Sequence, residues 1–171
     1  MMKSLKYLTP LILLVISCRM SAVNFGYSHR REVNKIKTIV IRFDSLEVKN
    51  AAFIWEGRSP KNSNNILKIY QIQNKIYRIT EKEFDSVLTF STNYYFENER
   101  PIMAKLLVIK TNKNPVDTLL NGTYYYKKKR HIARNLKGSN AWLWGHDQGG
   151  ILRLKGDYFY KHADSIRSNG G

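Results

Sequence analysis

A succession of β-branched and aromatic runs separated by turn residues, in a chain of 171 residues with one cysteine, is what most limits the fold. With a single thiol no intrachain disulfide can hold the chain together, so stability must come from a core those runs build. Ile66-Leu67-Lys68-Ile69-Tyr70-Gln71-Ile72 reads as a strand that Gln73-Asn74 turns back into Ile76-Tyr77-Arg78-Ile79, although that dipeptide is a weaker turn signal than Asn-Gly. Ile39, Ile41 and Phe43 share one face if residues 37–43 are extended, and Ala51 to Trp55 reads as a further strand, followed by a loop over residues 58–65. Asn93 to Phe96 is short and aromatic. Ile102 to Lys110 is apolar on both faces, as in a central strand covered on both sides. Thr123 to Lys129 resumes the pattern, and Ile151 to Lys155, Gly156-Asp157 and Tyr158-Phe159-Tyr160 read as the clearest hairpin.

One helix is expected over about residues 81–90. Thr80-Glu81-Lys82-Glu83 has the spacing of a capping box, in which the first hydroxyl and the last carboxylate satisfy each other's backbone amides, and Phe84, Val87 and Leu88 follow at helical spacing. The expectation is a mainly β fold, an antiparallel sheet, sandwich or partly open barrel with that one short α-helix; α+β is the alternative. Fixed-period repeats and heptads are absent from the sequence.

The N-terminus points to export. Lys3 and Lys6 precede an apolar stretch from Tyr7 to Ile16, and Ser17 stands before Cys18. That is the order of a secretory signal, and Arg19 ends the apolar run well short of the roughly 20 residues a spanning helix needs. Val15-Ile16-Ser17-Cys18 resembles the lipobox of bacterial lipoproteins, a likeness confined to about the first twenty residues. The resemblance implies cleavage before Cys18, diacylglycerol on its thiol and acylation of its new amino group. Two or three acyl chains, at roughly 0.8 kcal/mol per buried methylene, hold a protein on a bilayer where one does so only marginally. The expected organisation is a signal peptide over 1–17, a lipidated cysteine with a flexible basic tether over 18–36, a single β-rich domain over 37–165 and a frayed tail over 166–171. By similarity to enteric lipoproteins, the lack of aspartate at position 19 favours the outer membrane.

Few residues invite chemistry. His146-Asp147, between Trp144 and Gly149, is the one acid–base candidate and would make the chain an envelope hydrolase, but no nucleophile motif accompanies it. His29, His131, His146 and His162 are scattered without metal-ligand spacing, and no phosphate-cradling glycine motif occurs, so neither metal nor cofactor is expected. Glu81 with Glu83 and Glu97 with Glu99 are the close carboxylate pairs.

Charge says more. Lys and Arg number 29 against 13 Asp and Glu; loss of Lys3 and Lys6 with the signal leaves 27 against 13, a net of +14. Tyr124-Tyr125-Tyr126-Lys127-Lys128-Lys129-Arg130-His131 concentrates that charge beside aromatic residues, a composition that attracts polyanions. An exported chain does not meet nucleic acid in its ordinary surroundings, so none is expected as a partner. The candidate binding residues are Tyr125, Lys127, Lys128, Lys129 and Arg130, with Trp142 and Trp144 as apolar anchors. The sequence therefore predicts a non-enzymatic, lipid-anchored envelope protein of accessory, assembly, inhibitor or immunity type. It would bind another envelope protein or an anionic polymer through a basic aromatic surface.

Overall fold

A computed structural model describes residues 29–46, 53–59, 62–111, 117–140 and 148–169. Cys18 and its flanking signal, and the segment carrying Trp142, Trp144, His146 and Asp147, lie outside the described residues. The chain is mainly β. Strands β1 (Phe53–Ser59), β2 (Asn62–Ile72), β3 (Lys75–Phe84), β4 (Leu88–Glu97), β5 (Arg100–Lys110), β6 (Asp117–Lys127) and β7 (Arg130–Lys137) form one open sheet in sequence order, each antiparallel to the next. The hairpin expected at Gln73-Asn74 is present, with Ile72 paired to Lys75. Gln73 and Asn74, and likewise Asn98 and Glu99 between β4 and β5, take the left-handed backbone that two-residue hairpin turns require. β5 carries Ile102, Met103 and Ala104 buried in succession, as a covered central strand should, although Leu107 further along is exposed.

Helices account for the differences from expectation. Residues 29–46 form helix α1, where a flexible tether and then a strand over 37–43 were expected. Ile36, Val40 and Phe43 recur at helical spacing as well as Ile39, Ile41 and Phe43 do at strand spacing. The helical set prevails: Ile36 and Val40 are buried and Ile41 is 69% exposed. From Ile36 onward α1 belongs to the same compact unit as the sheet. Asp44 fixes it there, accepting hydrogen bonds from Arg78 of β3 at 3.3 Å and from the Tyr95 hydroxyl of β4 at 3.1 Å. Burial, with the Asp44 charge beside it, pushes the Tyr95 phenol up to about 12.

Residues 151–160, expected as a hairpin, lie in helix α2 (Gln148–Lys161), and α3 (Ala163–Asn169) follows, so residues 166–169 of the expected frayed tail are helical. Leu152, Phe159, Ala163 and Ile166 make one apolar face that joins the core with Leu67, Ile69 and Tyr94 of the sheet. Gly156, read as a turn residue, is a contact residue. A Cβ there would stand 3.1 Å from the ring of fully buried Tyr94, so its absence lets α2 lie close to the strands. Side chains alternate along a strand, and Tyr94 meets Phe159 of α2 while its neighbour Tyr95 meets Asp44 of α1. Residues 36–46 of α1 and helix α2 therefore lie on opposite faces of the sheet.

The helix expected over 81–90 is absent. Glu81 to Phe84 completes β3, residues 85–87 turn, and Leu88 opens β4. The capping-box residues have other partners: the Thr80 hydroxyl donates to the Asn93 side-chain oxygen at 2.6 Å across the β3–β4 pair, and both glutamates turn toward α2. Tertiary pairing overrides a local signal that is real only when the backbone is free to curl.

Candidate functional site

The basic cluster is built by a hairpin. Lys127 at the end of β6 pairs with Arg130 at the start of β7, and Lys128-Lys129 forms the connection, with Lys128 at φ 57°. All four side chains are exposed. The charge continues along β7, where His131, Arg134 and Lys137 are exposed, and β7 is the last strand of the sheet. At the same end of the sheet, the β4–β5 turn carries Glu97 and exposed Glu99 and Arg100.

Among the described residues, the neighbouring tyrosines do not join it at the surface. Tyr125 is 6% exposed, and Tyr124 and Tyr126 are buried on the α2 side of the sheet. Strong desolvation raises the phenols of all three. The sequence placed Tyr125 in a binding surface because it adjoins the lysines, but an interior strand position turns the ring inward while the hairpin tip carries the lysines out. His131 is the link between the two, with its ring 5.9 Å from those of Tyr124 and Tyr126; desolvation against them lowers its pKa. Of the sequence-predicted residues, the structure thus brings Lys127, Lys128, Lys129 and Arg130 together.

A second constellation went unread. Glu81 and Glu83, two apart on β3, share the face toward α2, and the Lys155 ammonium donates to Glu81 at 2.8 Å and to Glu83. Glu81 is 1% exposed, and its other contacts, from Asn65 Nδ2 and the Tyr94 hydroxyl, are both long at 3.4 Å. Burial pushes its carboxyl up to about 7; Lys155 works against that and Glu83 adds to it. For Lys155, burial acts to lower the pKa, but its bonds to the two carboxylates outweigh burial and the net shift is upward. A buried carboxylate titrating near neutrality beside an ammonium and a second carboxylate is the chemically most unusual group in the described chain. The signal that locates it is the helical spacing of Leu152 and Phe159, continued by Ala163 and Ile166 of α3, which marks residues 148–161 as helix and brings Lys155 onto β3.

Among the described residues no group of three or more His, Cys, Asp or Glu is placed to hold a metal ion, and no helix is long and apolar enough to cross a membrane. No family model, curated protein or solved structure matches the chain.

Proposed function

We propose that this chain is a lipid-anchored bacterial envelope protein, non-enzymatic in its role, that captures an acidic envelope partner through the basic β6–β7 hairpin. The observation that carries the reading is the hairpin itself: Lys127, Lys128, Lys129 and Arg130 stand exposed together at one tip, with Arg134 and Lys137 behind them on the final strand. A projecting cationic tip on a net-positive chain draws polyanions in and orients their approach. With the tyrosines buried, recognition by this surface is electrostatic before it is apolar, so binding is to weaken steeply with salt. The lipobox resemblance at Val15-Ile16-Ser17-Cys18 supports the anchor, and arginine rather than aspartate at position 19 favours, by similarity to enteric lipoproteins, an outer-membrane position.

The anchor and the capture are separately testable in the full chain. Replacing Cys18 with Ala is expected to move the protein from the membrane fraction to the soluble fraction, or to leave it uncleaved, and to abolish labelling by radioactive palmitate. Labelling and membrane retention that persist in that variant would remove the anchor from the account. In the detergent-solubilised wild type, capture from an envelope extract is expected to fall as salt rises from about 50 to 500 mM, across which the Debye length shortens severalfold.

A further inference from the structure

Beside the Glu81–Lys155 pair lies a cavity of about 410 Å³, within the range that holds small molecules. It is lined by Ser59 at the end of β1, Asn65 of β2, Glu81 and Glu83 of β3, and Lys155, Tyr158 and Phe159 of α2. Ser59 and Asn65 are each 7% exposed. Both residues stand on the cavity wall, and the Asn65 amide donates to Glu81 at 3.4 Å. A concave space walled by several polar side chains and two aromatic residues suits a polar occupant with an apolar face.

We propose that this cavity, formed where α2 crosses the β1–β3 edge of the sheet, binds a neutral, hydroxyl-rich small molecule the size of a single sugar ring. The chemistry of the wall selects that class. Lys155 donates, Glu81 and Glu83 accept, the Ser59 hydroxyl does both, and the Asn65 amide oxygen accepts. A hydroxyl is donor and acceptor at once, so a ligand carrying several can answer a mixed wall group by group. An anion would be drawn to Lys155 but would face two carboxylates; a cation would meet the lysine ammonium between them. The wall is completed by Tyr158 and Phe159, whose rings offer an apolar surface to the C–H face of a ring-shaped ligand. The site lies apart from the β6–β7 hairpin, so it stands whether or not the capture surface does.

The test uses the full chain in a sugar-free detergent and saturation-transfer NMR, with glucose, galactose, xylose and N-acetylglucosamine as probes and methylammonium and acetate as charged comparators. Transfer to at least one sugar is expected, at an affinity that falls about tenfold or more in Ser59→Val, which fills the wall and removes its hydroxyl, and in Glu83→Gln. Glu83 is partly exposed, so its variant keeps the test decisive if the Ser59 change disturbs folding. Lys128→Glu, at the hairpin tip, is to leave sugar binding unchanged. No transfer to any of the four sugars, undiminished binding in both wall variants, or a preference for methylammonium or acetate would overturn the proposal.

Discussion

At the scale of single residues, Glu81 governs how the fold responds to pH. Its ordinary value is 4.5 and burial raises it to about 7 in the folded chain, so between those two values the folded state holds a proton that the unfolded state has released. Stability linked to this group is fully present below pH 4.5 and is lost as pH rises through 7. The size is set by the shift, about 1.4 kcal/mol per unit and therefore on the order of 3 kcal/mol across the window. Urea melts at pH 5 and pH 7.5 are expected to show the wild type less stable at the higher pH. Glu81→Gln, which keeps the shape and removes the titration, should flatten that difference; a slope that survives in the variant would assign it to another group. Lys155 holds Glu81 against a larger shift still, so Lys155→Met is the change to avoid as a neutral comparison: it would leave the carboxylate buried with two long contacts.

At the scale of elements, α2 depends on close approaches that glycine permits, to the His131 ring at Gly149 and to Tyr94 at Gly156. Gly150 has open space around a notional Cβ, whereas at Gly156 a Cβ would meet Tyr94 at 3.1 Å and Pro101 at 3.4 Å. Both substitutions to alanine improve helix propensity by up to about 1 kcal/mol. Gly150→Ala is expected to raise the thermal midpoint slightly, while Gly156→Ala should lower it, at a net cost of about 1–2 kcal/mol, since Tyr94 is fully buried and has nowhere to move. Equal midpoints for the two variants would mean that α2 does not lie on the strands as described. The same helix explains where sequence reasoning reached its limit. The hairpin from Ile66 to Ile79 was legible because alternating apolar runs bounded by turn residues have few other readings, the continuous apolar run of β5 declared a covered strand, and the second half of β6 was read from Thr123 onward, whereas the β3–β4 junction was read as a helix. Ile151 to Tyr160 was not legible locally: Leu152 and Leu154 alternate as a strand does, Gly156-Asp157 is a turn dipeptide, and only continuation through Ala163 and Ile166 reveals the helical face. Residues 37–43 carried the same ambiguity, with both periods present at once. At Thr80 to Glu83 the local capping signal was sound, but cross-strand pairing with β4 and the cation on α2 outweighed it. The candidate binding residues divide in the same manner. Lys127 to Arg130 were readable since an exposed charge run at a turn needs no tertiary context, whereas the Glu81–Lys155 site joins residues from two distant segments and appears only once α2 is placed.

At the scale of the whole molecule, the described chain is an open antiparallel sheet with helices on opposite faces and with its cationic tip carried by the last hairpin. Strand order equals sequence order, so its strand pairings close by short connections, an arrangement whose local contacts favour fast assembly. Charge at the tip contributes little to that fold, because exposed side chains at a turn make few contacts that burial would reinforce. The charge at residues 127–130 can therefore be changed with little effect on stability, and the proposed capture can be tested there without disturbing the core. The decisive measurement compares the wild-type full chain with a variant in which Lys127, Lys128, Lys129 and Arg130 are all Glu, reading retention of acidic envelope components at about 100 mM salt alongside the thermal midpoint. Capture lost with the midpoint changed by no more than a few degrees is the predicted result; capture undiminished in a folded variant would contradict the assignment of binding to this hairpin.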